Sequence, residues 1–302
     1  METATTPAAA LARYRARMGR VLDHIDRHLD EELPLAALAC VAAWSAHHFH
    51  RQFAAAVGVT PHRYVQLARL KRASYRLAFR PDAPVTAVAL DAGYDAPDAF
   101  ARAFRALVGQ APSVFRRAPD WARWHAALAP LTLARSTRVP HLFSPADVAV
   151  RTVPATPVAV MTHRGDPARV GDTIRRFIAW RRAAGLRPAV SATYTVFPCD
   201  PRTTPPAEFR MDLCAATDRV RPASVEASDG VEASVIPGGR CAVLRVVGAG
   251  DDLEPAALFL YRDWLPASGE EPRDFPLYCR RVTFFPDVPE HEAVTELYLP
   301  LR

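Results

Sequence analysis

Residues 34–65, PLAALACVAAWSAHHFHRQFAAAVGVTPHRYV, and residues 85–117, VTAVALDAGYDAPDAFARAFRALVGQAPSVFRR, are two copies of one pattern. Leu35, Leu38 and Ala39 recur 50 positions later as Val85, Val88 and Ala89. Past the turn the offset is 51, so Arg51, Phe53, Gly58, Pro61 and Tyr64 return as Arg102, Phe104, Gly109, Pro112 and Phe115. A repeated pattern implies a repeated supersecondary unit. In each copy an apolar stripe at helical spacing leads into a short turn. A phenylalanine pair four residues apart, Phe49 with Phe53 and Phe100 with Phe104, then puts a second helix on the core before a glycine ends it. Ser45 and Asp95 are predicted to cap the two second helices. Leu67, Leu70, Tyr75 and Leu77 space an uninterrupted helix over 64–79 that joins the copies, and Pro81 stops it. The pattern reads as two helix-turn-helix units on one rigid connecting helix.

Composition sets the frame around that half. The chain has 302 residues and a net charge of +6, a length that suggests two domains. The charge is uneven: residues 1–140 hold 19 Lys+Arg against 11 Asp+Glu, and residues 141–302 hold 19 against 21. Nearly all the cations are arginine, whose planar fork suits phosphates and base edges. A basic half joined to a near-neutral half suggests a polyanion binder attached to something else. Five scattered cysteines, with no CxxC, argue against a disulfide framework and a cysteine zinc site. The N-terminus carries no signal-type apolar stretch, and no run of about 18 apolar residues occurs, so a cytoplasmic protein without membrane contact is expected.

A second duplication organises the near-neutral half. Val153-Pro154, Ala159-Val160 and Gly165 recur 83 positions on as Ile236-Pro237, Ala242-Val243 and Gly248; Trp180 and Gly185 recur 84 on as Trp264 and Gly269. Each copy reads strand, strand, amphipathic helix, further strands. Alternation is clearest in residues 209–214 and 295–299, where one parity is apolar and the other polar. The fold expected is multi-domain: an all-α double helix-turn-helix domain over residues 10–119, a linker over 120–147, and an α+β domain of two duplicated strand-helix-strand units over 148–302, with helices on one sheet face and a groove on the other.

Residues 13–119 resemble the AraC/XylS family of bacterial transcription regulators, and the GY…FARAFR…G…P…FR of the second unit is specific to it. Ala43 departs from the turn glycine usual in that family. Residues 148–302 resemble the gyrase-inhibitor-like effector domain of Rob-type regulators and multidrug sensors, through CDPRTTPPAEFRMDL, VIPGGRCAVLRVVG, LYRDWLPASG and ELYLPL. The resemblance implies a regulator whose C-terminal pocket senses a small molecule and modulates promoter binding. Its partners would be double-stranded promoter DNA, a small-molecule effector and RNA polymerase, with no cofactor. In the effector family a glutamate commonly stands in an FE-x-Y strand. Here the strand reads Phe275-Pro276-Leu277-Tyr278, which points to neutral or anionic aromatic ligands rather than cations.

With Phe49 turned inward, His47, His50 and Arg51 fall on the outer surface of the first recognition helix, and by resemblance they are its base-reading positions. In the second unit the corresponding residues are Pro97, Asp98, Ala101 and Arg102, a face poorer in donors. A surface arginine is usually only solvated; the recurrence of Arg51 as Arg102 is what favours a groove role. Arg63, Arg69, Lys71, Arg72, Arg76, Arg105, Arg116 and Arg117 are candidate phosphate contacts. The histidines at 47, 48 and 50 lack partners at ligand spacing, so no metal is expected.

In the C-terminal half, parity puts Arg210, Asp212, Tyr278, Arg280, Glu296 and Tyr298 on the groove face, and the resemblance adds Trp264 at its rim. Paired charges bracing a solvent-facing sheet are the other reading of Arg210–Asp212 and Arg280–Glu296. A hydrolase acting on a small toxic compound is the alternative function, with Cys199 and Cys214 as candidate nucleophiles. No nucleophile elbow or Gly-rich phosphate loop accompanies them, and no catalytic residue is expected. A DNA-architectural protein would need no ligand pocket at all.

Overall fold

The two phenylalanine pairs sit where their spacing demands. In the computed structural model, which describes residues 7–136, 143–218, 230–248 and 253–302, Phe49, Phe53, Phe100 and Phe104 are fully buried. Contacts divide the chain into two units at 142–143.

The first unit is helical in all its described elements: α1 (Pro7–Arg27), α2 (Leu35–Ala42), α3 (Ala46–Val57), α4 (Pro61–Phe79), α5 (Val85–Asp91), α6 (Pro97–Val108), α7 (Pro112–Arg117) and α8 (Trp121–Ser136). The duplication holds at ring level. Phe49, Phe53 and Tyr64 form a chain with centroids 5.5 and 5.6 Å apart, and Phe100, Phe104 and Phe115 repeat it at 5.5 and 5.3 Å. Three of the four pairs are edge-to-face, a geometry that adds about 0.5–1.5 kcal/mol per pair beyond area burial. Gly58 and Gly109 close α3 and α6 in the left-handed region.

Three details differ from the sequence reading. The connecting helix α4 starts at Pro61, because Thr60 accepts the Arg63 N–H and proline suits the first helical position. Ser45 caps α3 as expected, accepting from the His48 N–H. Asp95 does not cap α6: Ala96 holds that place with no side-chain bond, and Pro97 begins the helix. The stretch expected as linker, 120–147, contains α8. Trp121, Trp124, Leu128 and Leu131 recur at helical spacing and are buried, a stripe hidden by the alanine- and proline-rich composition. Trp121 stacks on Phe79 at 5.8 Å, and Trp124 lies 5.6 Å from Tyr75, so α8 is tied to α4.

Among the described residues the second unit holds one eight-stranded sheet: β1 (Val148–Val153), β2 (Thr156–Arg164), β3 (Thr193–Val196), β4 (Arg210–Ala216), β5 (Val231–Ile236), β6 (Gly239–Val247), β7 (Tyr278–Arg281) and β8 (Val294–Pro300). Helix α9 (Val170–Ala183) follows β2. After β6, α10 (Glu254–Leu258) runs through a π-helical segment, Phe259–Trp264, into α11 (Leu265–Ser268). The spatial order is β1-β6-β8-β7-β3-β4-β2-β5, antiparallel between all neighbours. The two copies are β1-β2-α9-β3-β4 and β5-β6-α10/α11-β7-β8, and they exchange their first strands: β1 pairs with β6, and β5 with β2. Phe177 of α9 packs on Met161 and Leu213, and Leu260 packs among Leu244, Leu297 and Leu299, so the helices cover one face of the sheet. The opposite face carries Val158, Cys214, Cys241, Val243, Tyr278 and Tyr298.

Ala43 is the one non-glycine residue among the described residues with positive φ, at 54°. Its counterpart, Gly93, has φ 80°, and a Cβ there would come within 2.9 Å of the Arg69 guanidinium. A left-handed residue with a Cβ costs roughly 1–2 kcal/mol, partly offset by the entropy of glycine in the unfolded chain. Ala43→Gly should therefore stabilise the protein by up to about 1 kcal/mol. Urea unfolding checks it, and a loss of stability would contradict the strain.

Candidate functional site

On α3 the inward set is Phe49, Phe53 and Val57, which leaves His47, His50 and Arg51 exposed together with His48. On α6 the inward set is Phe100, Phe104 and Val108; Pro97, Asp98 and Arg102 are exposed and Ala101 is half-buried. Both helices thus present a short polar face with arginine at the matched position. Arg69, Arg72, Arg76 and Arg116, all phosphate candidates, bind loops and neighbouring helices. Arg69 donates to the carbonyls of Leu29 and Glu31 at 2.9 and 2.6 Å. Arg72 binds Asp30 and the Asp91 carbonyl, Arg76 pairs with Asp91, and Arg116 donates to the Ala83 carbonyl at 2.5 Å. These side chains tie the loops around α4, a role that charge counting cannot distinguish from phosphate binding.

The other candidate site is a cavity of about 310 Å³ on the sheet face opposite the helices. Tyr278 and Tyr298, cross-strand neighbours, stack with centroids 4.8 Å apart and planes 7° from parallel. Tyr194 continues the aromatic wall 6.3 Å from Tyr278. At the rim, Glu296 accepts from the Tyr298 hydroxyl at 2.7 Å and from Arg151 at 3.2 Å. The Arg151 guanidinium also lies 5.8 Å from the Tyr298 ring centroid. Arg280, opposite Glu296 on the next strand, is exposed and makes no hydrogen bond or ion pair among the described residues. Burial alone would raise the Glu296 carboxyl; the Tyr298 and Arg151 hydrogen bonds and the charges of Arg151 and Arg280 outweigh it and hold the group below its usual range. Burial, then the bond to Glu296, pushes the Tyr298 phenol up to about 12. Both groups are therefore fixed near neutral pH, one as carboxylate and one as donor.

The structure brings Tyr278, Arg280, Glu296 and Tyr298 together in this cavity, and it places the other three expected ligand residues elsewhere. Trp264 is buried on the helix side of the sheet among Leu260, Leu297 and Leu299, because its position on the inner face of the helix turns it to the core. Arg210 and Asp212 share the groove-side parity but lie on β4, where Asp212 takes Arg210 at 2.8 Å and the Thr162 hydroxyl at 2.7 Å. There the bracing reading holds. For Glu296 the bracing partner is Arg151, not Arg280. Pro276 precedes the first residue of β7, and pairing there runs through the Leu277 carbonyl to the Phe197 N–H at 2.9 Å. Arg151, Thr156 and Tyr194 also line the cavity, and strand parity within one copy does not mark them. Arg151 sits at odd parity with Val153 in β1, but only the strand exchange carries that parity to Glu296. Cys214 is buried, and burial pushes its thiol well above the usual range. Among the described residues no three His, Cys, Asp or Glu side chains are placed to share a metal, and no helix is long and apolar enough to cross a membrane.

A carboxyl held below its unfolded value contributes stability above the ordinary glutamate range, and that contribution is lost as pH falls through the depressed value. Stability of the native chain should accordingly drop more steeply below about pH 4.3 than that of Glu296→Gln. Denaturant unfolding across an acid series measures this. Parallel pH dependence in the two proteins would show that Glu296 gains nothing from its partners.

Residues 146–302 match the family model of a GyrI-like small molecule binding domain, and residues 38–118 match that of a helix-turn-helix domain. Over 156 residues the chain is 36% identical to the probable transcriptional regulator YgiV of Escherichia coli (strain K12), covering 51% of this chain and 96% of that protein. It is 30% identical over 119 residues to the right origin-binding protein of the same organism, covering 39% of this chain and 40% of that one. Among solved structures, EcmrR in its cryo-EM complex with DNA covers 89% of this chain and 98% of that chain, at 14% identity and a TM-score of 0.44. The chain belongs to the GyrI-like small molecule binding family, joined to an AraC-type helix-turn-helix domain, and is a DNA-binding transcription regulator with a ligand-sensing domain.

Proposed function

We propose a one-component regulator, acting in the cytoplasm, in which residues 10–119 read a promoter and residues 148–302 bind the effector that modulates this reading. His47, His50 and Arg51 on α3 supply most of the base contacts, since Arg51 can bridge the O6 and N7 atoms of guanine. Pro97, Asp98, Ala101 and Arg102 on α6 face a second, adjacent major groove and read less. At 19 residues α4 is roughly 28 Å long, in keeping with two boxes about 10 base pairs apart and no palindrome. RNA polymerase is the further partner such a promoter-bound protein would meet.

The observation that carries the effector assignment is the engagement of Glu296. Its carboxylate is already paired with Arg151 and accepts from Tyr298, while the Arg280 guanidinium beside it makes no hydrogen bond or ion pair among the described residues. A cation entering the cavity would meet two arginines and a committed acid; burying it without its own carboxylate is strongly unfavourable. An aromatic face can extend the Tyr278–Tyr298 stack, and a carboxylate or other anionic group on the ligand would take the Arg280 fork. The class proposed is therefore a neutral or anionic aromatic molecule. Of the two candidate nucleophiles Cys214 is buried and Cys199 half-buried, and the attached helix-turn-helix half favours sensing over hydrolysis.

Fluorescence titration with matched cationic, neutral and anionic aromatics tests the assignment. Anionic members should bind most tightly, and Arg280→Ala should weaken them by about tenfold, the loss of one charge-assisted bond. Tight binding of a lipophilic cation, abolished by Glu296→Gln, would reverse the assigned ligand charge.

A further inference from the structure

Helix α1 carries four arginines, Arg13, Arg15, Arg17 and Arg20, before its first acid, Asp23. Arg13, Arg17 and Arg20 are spaced i, i+4 and i+7, so they share one face. That face meets the start of α3. Arg13, Tyr14 and Arg17 form one wall of a cavity of about 410 Å³, and Trp44, Ser45 and His48 form the other. No carboxylate lines it. The floor is aromatic and ordered: Tyr14 lies 5.6 Å from the Trp44 ring, and the Arg17 guanidinium lies 5.8 Å from the same centroid while donating to the Ala43 carbonyl at 3.4 Å. Arg13 and Arg20 are exposed and make no ion pair among the described residues.

We propose that this groove clamps a DNA phosphodiester beside the box read by α3, with Arg13 and Arg17 on one side and His48 on the other. His48 follows His47 by one residue, about 100° round the helix, which turns it from the base edges toward the wall of the groove where phosphates run. Holding Arg17 against Trp44 removes part of the rotamer freedom it would otherwise lose on binding. A contact of this kind sets register and affinity without reading sequence. It adds a third helix to the interface beside α3 and α6, outside both helix-turn-helix units. The clamp rests on α3 being the base-reading helix.

The test uses the full chain, an operator duplex from a genomic selection and a scrambled duplex, with binding followed by fluorescence anisotropy over a salt series. Arg13 is exposed and makes no ion pair among the described residues, so Arg13→Ala should fold normally. Its plot of log affinity against log salt should be shallower by about 0.9 on both duplexes, the value for one phosphate contact. Arg13→Lys should restore the slope. In parallel, Arg51→Ala should weaken the operator alone. An unchanged slope with Arg13→Ala overturns the clamp; equal weakening of both duplexes by Arg51→Ala overturns the base-reading role of α3 instead.

Discussion

Two phenylalanines one helical turn apart, buried to zero exposure, orient the second helix of each helix-turn-helix unit, and the helical unit is organised around that constraint. Once Phe49 and Phe53 point inward against Tyr64, the helical period leaves His47 and Arg51 no place except the outside. Phe100 and Phe104 impose the same on Arg102 through Phe115. Tyr64 lies within α4 and Phe115 within α7, which packs on α4, so both recognition helices are referred to a single rod. Arginines that would otherwise be free cations are used to hold the rod's surroundings: Arg69 and Arg72 gather the loop after α1, and Arg72 and Arg76 gather the end of α5.

In the effector unit the equivalent constraint is the exchange of first strands. Because β1 crosses to pair with β6, Arg151 of the first copy comes to Glu296 and Tyr298 of the second. The register places Ser234 on β5 at the position equivalent to Arg151, and Asp212 at that of Glu296. Asp212 takes its arginine from its own strand instead, as Arg210, and Cys214 stands where the second copy has Tyr298. A duplicated scaffold has thus diverged into one lined cavity and one braced surface. The cysteines in its core are buried thiols, in keeping with packing rather than chemistry.

Much of this was legible in the sequence because periodicity and duplication act locally. The phenylalanine step locates α3 and α6, and β8 parity puts Glu296 and Tyr298 on the groove face. What escaped depended on tertiary choices. The resemblance points Trp264, at the end of the second helix, to the cavity rim, whereas the helix's inner face decides that it packs with Leu260. Arg151 needed the strand exchange, and the structural arginines around α4 needed the positions of distant carbonyls. Helix α8 was concealed because alanine and proline outweighed a four-residue apolar stripe. Asp95 failed as a cap because the second turn is one residue longer and Pro97 starts the helix without it.

Insertion of five base pairs between the two boxes of the operator tests most directly whether α3 and α6 both enter the major groove from one rigid α4. Half a helical turn moves the second box to the opposite face of the duplex, beyond the reach of a rod of roughly 28 Å. Affinity of the full chain should fall to that of scrambled DNA, and insertion of ten base pairs should not restore it, since the rod cannot lengthen. Retention of operator affinity after the five-base-pair insertion would contradict two-helix engagement and leave α3 reading alone.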